Sequence, residues 1–171
     1  AGELVHCNGK KFIEGVVAGY EVMCKLGMMH NPPDLYNRGF YPTGVCGVFG
    51  AAAAASKILG LSKDQIIDAL GIAGSQSSGL MEFSNSGGWT LRFNSGWPAH
   101  SGVIAAMLAA KGFKGPSAAI EGKYGFMKTY SPKFDDGQAP VRLGDPYEIT
   151  EISIKPYASA RYENGPIEGI I

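Results

Sequence analysis

The sequence predicts a mainly α-helical protein, with a helical-bundle domain followed by the start of a small α+β domain. Apolar residues recur at steps of three and four in several segments, which is the helical period, and only one segment alternates with the period of a strand. A third observation is a segment made almost entirely of glycine and alanine, which suits a helix at the centre of a bundle. We expect the helical domain over residues 1–135, and a linker with the start of the α+β domain over 136–171.

The first helix is predicted from Asn8 to about Gly27, because the apolar residues between them share one helical face. The following segment, Met28 to Pro42, is predicted to be irregular. The Pro32-Pro33 pair and Gly39 interrupt a continuous helix there.

Two consecutive helices are predicted in the middle of the chain. The second helix starts with Thr43 as its cap, runs to about Leu59 and stops at Gly60. The third helix starts at Ser62, because Gln65 three residues later completes a capping box.

The rest of the chain alternates between loops and shorter elements. We predict a loop over Ser75–Asn94, a fourth helix from about Pro98 to Lys111, and a short helix after Pro116. The alternating segment Glu148–Lys155 is predicted to be a strand, and a last helix is predicted to begin near Pro166.

Charge and composition restrict the class of protein. The 15 basic and 15 acidic side chains balance, which argues against a nucleic-acid-binding surface. The longest apolar run, Val45–Ala55, is too short to span a bilayer, so we expect no membrane partner. The odd set Cys7, Cys24 and Cys46 has no close CxxC pair, which predicts neither a disulfide framework nor a zinc site and favours a cytoplasmic location.

The start of the second helix carries residues suited to an anionic ligand. Thr43 and Gly44 would present backbone N–H groups at a helix N-terminus, which attracts a carboxylate. Arg38 and the phenol of Tyr41 lie just before them. We therefore predict Arg38, Thr43 and Gly44 as substrate-binding residues and Tyr41 as a catalytic one.

Three more residues complete the predicted pocket, with Arg92 binding substrate and His100 and Lys155 in catalytic roles. Proton abstraction next to a carboxylate needs cations to spread the developing charge, plus a base of suitable pKa. Each residue also has a plain structural interpretation. The arginines would then be surface cations, His100 a polar residue in the first turn of a helix, and Lys155 a solvated strand end.

Five segments together resemble the MmgE/PrpD family, which includes 2-methylcitrate dehydratase, cis-aconitate decarboxylase and iminodisuccinate epimerase. These segments are Arg38–Leu61, Ala69–Met81, Gly96–Gly102, Glu121–Phe126 and Ile154–Tyr157. The resemblance implies an enzyme without cofactor or metal that acts on a small di- or tricarboxylate. Dehydration by a hydro-lyase is the commonest reaction it implies.

The resemblance also implies an architecture. Family chains are more than twice this long and combine a large all-helical domain with a smaller α+β lid, and the full-length protein is expected to be a homodimer. This chain resembles the second half of the helical domain with the first strand of the lid. We therefore expect an internal piece of a longer protein, with exposed apolar surface when it is isolated.

Three positions depart from the family pattern. Tyr41 and Asn164 stand where dehydratases and decarboxylases usually carry histidine, and Leu91 stands where they usually carry lysine, while Arg92 and Lys155 match. An epimerase or isomerase that uses Tyr41 and Lys155 on opposite faces of a dicarboxylate is the second hypothesis. A decarboxylase and a catalytically inactive member remain further alternatives.

Overall fold

The computed structural model describes residues 1–30, 32–131 and 142–171. Within these ranges all regular structure is helical, and the only strand-like pairing is an isolated bridge between Phe40 and Leu80. This confirms the predicted mainly α fold class. After a short 3₁₀ turn at Glu3–Val5 the helices are α1 (Gly9–Met29), α2 (Pro32–Asn37), α3 (Pro42–Leu59), α4 (Lys63–Gly74), α5 (Phe83–Ser86), α6 (Thr90–Ala110), α7 (Phe126–Tyr130), α8 (Glu148–Glu151) and α9 (Arg161–Glu168).

Helix α3 lies at the centre, packed against α1, α4 and α6. Val45, Val48 and Phe49 on α3 are fully buried and belong to the core. A Cβ on Gly50 would lie 2.8 Å from the carbonyl oxygen of Gly19, so α1 and α3 touch backbone to backbone. The predicted position of the glycine–alanine helix in the centre of the bundle is thus confirmed.

By length and composition, α3 is the one helix in the described part of the chain that could cross a membrane. Of its residues, 61% are buried inside the structure. This burial matches the core helix of a folded domain, which satisfies the same criteria.

The first part of the chain is more helical than predicted. Helix α1 is confirmed and runs on to Met29. The predicted irregular segment contains α2, whose first two residues are the Pro32-Pro33 pair. Proline at the start of a helix removes only an N–H group that has no intrahelical acceptor, so the pair starts a helix instead of preventing one.

The starts of α3 and α4 differ in how well the sequence predicted them. Tyr41, not Thr43, is the N-cap residue of α3, with Pro42 in the first helical position. The predicted cap at Thr43 is therefore wrong, because proline preset the helical φ one residue earlier. The capping box of α4 is confirmed, since the Gln65 N–H donates to Ser62 Oγ (3.3 Å) and the Ser62 N–H donates to Gln65 Oε1 (3.0 Å).

Helix α6 starts at Thr90, about two turns before the predicted start, and encloses Pro98. The predicted loop Ser75–Asn94 accordingly holds α5 and the first turn of α6. Pro98 is buried beside Gly47 of α3, and a Cβ built on Gly47 would lie 3.6 Å from the proline ring, which is ordinary van der Waals contact. Packing against α3 therefore keeps the helix continuous through the proline.

The strand predicted at Glu148–Lys155 is wrong. Its first half is the single turn α8, and residues 152–155 pair with no strand in the described ranges. The turn is stabilised locally because Thr150 Oγ1 donates to the carbonyl oxygen of Tyr147 (2.7 Å). Without a neighbouring strand, the alternating isoleucines have no sheet to join.

Two further elements were only partly predicted. After Pro116 the chain forms turns, and the short helix comes later, as α7. Helix α9 starts at Arg161 and encloses Pro166, which was predicted to begin it. The predicted domain boundary between residues 135 and 136 lies outside the described residues, as does most of the linker.

Candidate functional site

The N-terminal end of α3 is held in a small polar junction, which we call the α3 entrance and define as Tyr41, Gly44, residues 78–80 and Asn94. The Tyr41 N–H donates to the carbonyl oxygen of Gly79 (3.0 Å), and the Phe40–Leu80 bridge lies beside it. The N–H of Met81 donates back to the carbonyl oxygen of Gly39 (2.9 Å). These bonds fix the backbone of Tyr41 against the loop after α4.

Gly44 is a packing residue in this junction. A Cβ there would collide with the carbonyl oxygen of Ser78 and lie 3.3 Å from that of Asn94. The Gly44 N–H donates to the carbonyl oxygen of Tyr41 (2.9 Å). The amide predicted to face a substrate is thus used within the first turn of α3.

The phenol ring of Tyr41 is half-buried and meets the ring of Phe83 edge to face, with 5.6 Å between centroids. Burial, and then electrostatic interaction with Tyr41 and Tyr162, raises the pKa of the nearby Tyr36. Glu151 and Ile152 line one cavity with Pro42 and Thr43, so the end of α8 lies beside the start of α3.

Asn94 presents two polar groups at the entrance. Its side-chain amide donates to the carbonyl oxygen of Leu80 (3.1 Å). Its own carbonyl oxygen lies beside Gly44 and receives no N–H from Pro98, the residue four positions later in α6.

Arg38 is directed toward other backbone groups. Its guanidinium donates to the carbonyl oxygens of Tyr130 (2.6 Å) and Thr129 (3.5 Å) and lies 5.3 Å from the centre of the Phe40 ring. These contacts attach the C-terminal end of α7 to the turn after α2. A guanidinium has five N–H donors, so substrate binding by Arg38 would have to use those that remain.

Arg92 and His100 both lie on exposed parts of α6. His100 stacks on Trp97 (5.2 Å between centroids), which in turn stacks on Phe93 (5.5 Å). His100 was predicted in the first turn of its helix, but because α6 starts at Thr90, it lies about 15 Å along the axis from that start.

Thr43 lines a cavity of about 330 Å³ between α1, α3 and α8. The same cavity is lined by Glu148 and Glu151, and by the thiols of Cys24 and Cys46. Burial, and then the charges of Glu148 and Glu21, raises the pKa of the Cys24 thiol. An acidic lining disfavours a polycarboxylate, so this cavity does not fit the predicted substrate.

Lys155 and Asn164 belong to one local structure in the C-terminal segment, which we define as residues 142–171. The ammonium of Lys155 donates to the carbonyl oxygen of Ser159 (2.9 Å), and Ser159 Oγ donates to Oδ1 of Asn164 (3.0 Å). Lys155 is exposed. The turn after Lys155 is thus connected to Asn164 in the first turn of α9.

Among the seven predicted site residues, the structure joins only Tyr41 and Gly44, through their backbones. No side-chain hydrogen bond or ion pair connects any two of the seven, all of which lie in the described ranges. Their roles in a site remain predictions.

The sequence analysis missed a buried histidine. His30 is fully buried, its ring meets Phe126 edge to face at 4.5 Å, and neither ring nitrogen has a hydrogen-bond partner among the described residues. Burial, and then the charge of Arg38, lowers the pKa of His30 to about 4, so the ring is neutral at neutral pH. Its position just after α1 carries no signal in sequence.

Glu21 is a second residue that was not predicted, a buried carboxylate in the middle of α1 (5% exposed). It accepts hydrogen bonds from the N–H groups of Gly144 (2.6 Å) and Glu148 (2.9 Å). A signal was present, since Glu21 interrupts the apolar face of α1 one turn after Val17.

Together, the central glycine–alanine helix, the junction at its N-terminus and the surrounding helices define an all-α domain in the described part of the chain. The model of the MmgE/PrpD N-terminal domain family matches residues 1–139. The chain therefore belongs to the MmgE/PrpD family.

Several curated proteins are similar to the chain. The cis-aconitate decarboxylase of Aspergillus terreus is 32% identical over 170 residues, covering 95% of this chain and 34% of that protein. A cis-aconitate decarboxylase-like protein of Aspergillus oryzae is 31% identical, with 95% and 35% covered. The human cis-aconitate decarboxylase is 36% identical over 118 residues, with 67% and 24% covered. The chain thus spans about a third of the length of the fungal relatives.

Proposed function

We propose that this chain is part of an enzyme that acts on a small di- or tricarboxylate by transferring one proton at a carbon next to a carboxylate. Membership in the MmgE/PrpD family supports the class of enzyme. The observation that carries the site is the position of Tyr41. Its backbone is fixed by Gly79, and its ring stands half-buried at the start of the central helix.

Tyr41 is the proposed proton-transfer group because a fixed, half-buried side chain can hold a reacting proton in one place. In an elimination, Tyr41 as a phenolate would take the proton from carbon, the C–H electrons would form the double bond, and the leaving hydroxyl group would take that proton from Tyr41 and depart as water. In a decarboxylation, the C–C electrons released with carbon dioxide would take a proton from Tyr41. Both reactions need one proton moved between Tyr41 and the same carbon.

Dehydration is the first reaction to test, since it is the commonest reaction that the family resemblance implies. Decarboxylation is the second candidate, because the relatives at 31% to 36% identity are described as cis-aconitate decarboxylases or similar to them. Epimerisation is the third. It would use Lys155 as a second proton-transfer group, and the position of Ile152, three residues earlier, in one cavity with Pro42 and Thr43 supports this role.

Deuterium exchange in the intact protein tests the shared proton step. The protein would be incubated in deuterium oxide with 2-methylcitrate, cis-aconitate or iminodisuccinate, and the products followed by NMR and mass spectrometry. A new alkene identifies dehydration, loss of carbon dioxide identifies decarboxylation, and a deuterated stereoisomer identifies epimerisation. Absence of exchange with every acid would overturn the proposal and favour the inactive member.

The substitution Tyr41→Phe tests the assigned residue. We expect the rate to fall about 10²- to 10⁴-fold, the usual contribution of a positioned acid or base. The matched control is Tyr124→Phe. It removes the same hydroxyl group from a side chain that is 85% exposed to solvent. Equal rates for the two variants would remove Tyr41 from the mechanism.

A further inference from the structure

One buried carboxylate connects two parts of the chain that are far apart in sequence. Glu21 lies 123 residues from Gly144 and 127 residues from Glu148, and it accepts an N–H from each, at 2.6 Å and 2.9 Å. Each bond uses a different carboxylate oxygen. The loop before α8 and the first turn of α8 are thus both attached to the middle of α1.

The surroundings of Glu21 favour its charged form. Burial opposes ionisation, but the N–H donors of Glu148 and Gly144 and the charge of Lys25 outweigh it, so the pKa of Glu21 lies below its usual value. Lys25, one turn later on α1, also pairs with the Glu148 side chain at 2.5 Å. Hydrogen bonds to an ionised acceptor are about twice as strong as neutral ones.

Apolar packing at this contact is incomplete. A cavity of about 680 Å³ lies between α1 and residues 143–150, with Val17 and Tyr147 on opposite sides and Glu21 in its lining. Apolar side chains that line an open cavity lose dispersion contacts. The hydrogen bonds to Glu21 therefore contribute a larger part of the free energy that holds residues 143–150 against α1.

We propose that Glu21 is a positioning residue that holds the C-terminal segment against α1. Through this attachment it sets where Lys155 lies relative to the start of α3, because Glu151 and Ile152, just before Lys155, line one cavity with Pro42 and Thr43. Its effect on turnover rests on the proposed function, whereas its effect on the segment does not. Without the carboxylate, two backbone N–H groups lose their acceptor.

Hydrogen exchange on the intact protein measures the attachment directly. In Glu21→Gln, one oxygen remains as an acceptor and the other becomes a donor, so at least one bond is lost. We expect the amides of Gly144 and Glu148 to exchange about tenfold faster, the change expected from losing a hydrogen bond to a charged group. Unchanged exchange at both amides would overturn the proposal.

The matched control is Glu14→Gln, which removes the same charge two turns earlier on α1. Glu14 pairs with Lys57 at 3.6 Å, and its side chain is 44% exposed. Such an exposed pair contributes little, so exchange at Gly144 and Glu148 should stay at the wild-type rate. Equal acceleration in both variants would show a general charge effect and refute the specific role of Glu21.

A second pair of variants removes a donor, which covers the case in which Glu21→Gln fails to fold. Glu148→Ala removes the ion pair with Lys25 but keeps the backbone N–H at position 148. Glu148→Pro removes the ion pair and this N–H. Proline fits the first helical position, and Tyr147 has the extended backbone that precedes proline (φ −69°, ψ 131°). We expect Gly144 to exchange faster in Glu148→Pro than in Glu148→Ala, and equal rates would contradict the bridge.

Kinetics distinguish positioning from a general loss of stability. If Glu21→Gln reduces the fraction of molecules with the segment in place, KM should rise several-fold while kcat at saturating substrate changes less than about twofold. A loss of kcat with KM unchanged would refute the coupling to the entrance. If the wild-type protein shows no activity, the proposed function fails, and the exchange experiment still decides the role of Glu21.

Discussion

The contact between α3 and α6 gives a sharp test of how this fold is packed. A Cβ on Gly102 of α6 would lie 2.5 Å from Ala51 Cβ, 2.6 Å from Ala52 N and 2.6 Å from the Val48 carbonyl oxygen. All three neighbours are backbone or a short side chain that cannot rotate away. The change Gly102→Ala must therefore move α3 and α6 apart by about 1 Å to restore normal contact distances.

The expected magnitude follows from two opposing effects. Overpacking a core costs about 1–3 kcal/mol, and the rigid neighbours place Gly102→Ala at the upper end, near 3 kcal/mol. Replacing glycine by alanine in a helix contributes about 1 kcal/mol in the opposite direction. We therefore expect the free energy of unfolding to fall by about 2 kcal/mol.

Gly96→Ala is the matched control on the same helix. A Cβ there meets nothing within 4 Å, so only the helix preference of alanine acts. We expect it to raise the free energy of unfolding by about 1 kcal/mol, which separates the two variants by about 3 kcal/mol.

Urea unfolding followed by circular dichroism at 222 nm measures this difference. With a urea m-value of about 2 kcal/mol per molar, the two midpoints should differ by about 1.5 M. Equal midpoints for the two variants would refute the close approach of α3 and α6.

Two further stability predictions concern single side chains. Ser62→Ala removes the capping oxygen of α4 and should lower the free energy of unfolding by about 1 kcal/mol in the same urea assay, whereas an unchanged midpoint would contradict the capping box. The folded-state pKa of His30 is about 4 and its ordinary value is 6.5, so the unfolded state binds the proton more readily and stability falls as pH drops from 6.5 toward 4. His30→Leu should flatten this dependence in urea titrations at several pH values, and a slope equal to that of the wild type would show that His30 does not cause it.

Helical periodicity in the sequence predicted a helix where the neighbouring elements pack on its apolar face. Helix α1 was located in this way, the capping box gave the start of α4, and α3 was located from its glycine–alanine composition and its stop at Gly60. The sequence pattern predicted the wrong element where a hydrogen-bond partner from a distant part of the chain determines the local structure. The α8 turn is the clearest case, since the N–H of Glu148 is satisfied by Glu21 and no strand lies beside it in the described ranges.

Proline was the second source of error. The Pro32-Pro33 pair was taken as an interruption of helix, and Pro98 was taken as the start of one. In the structure the pair lies in the first turn of α2, and Pro98 lies within α6 against Gly47. The effect of a proline depends on whether its missing N–H is needed and whether its ring has room, and sequence reveals only the first of these.

The sequence indicated where in the chain the candidate site residues lie, but it did not predict which groups those residues contact. The start of α3 and its tyrosine were identified from sequence, and the structure shows that backbone fixed to the loop after α4. The partners of Arg38 could not be predicted, because its acceptors at Thr129 and Tyr130 lie 91 and 92 residues away. Sequence shows which residues carry charge, whereas folding decides which acceptor each charge reaches.

The distribution of cations around Tyr41 connects the two proposals. A polycarboxylate at the α3 entrance would meet the carbonyl oxygen of Asn94, which repels it, while Arg38 is already bound to the end of α7. In the described part of the chain, the candidate cations for the substrate are then Arg92, Lys155 and the donors of Arg38 that remain. Since Glu21 holds the start of the C-terminal segment, we expect substrate affinity to depend on a carboxylate that never touches the substrate.

If Glu21→Gln and Lys155→Met each raise KM, the double variant should raise it no further than Lys155→Met alone. Independent effects would instead show that Glu21 acts by a route that does not involve Lys155.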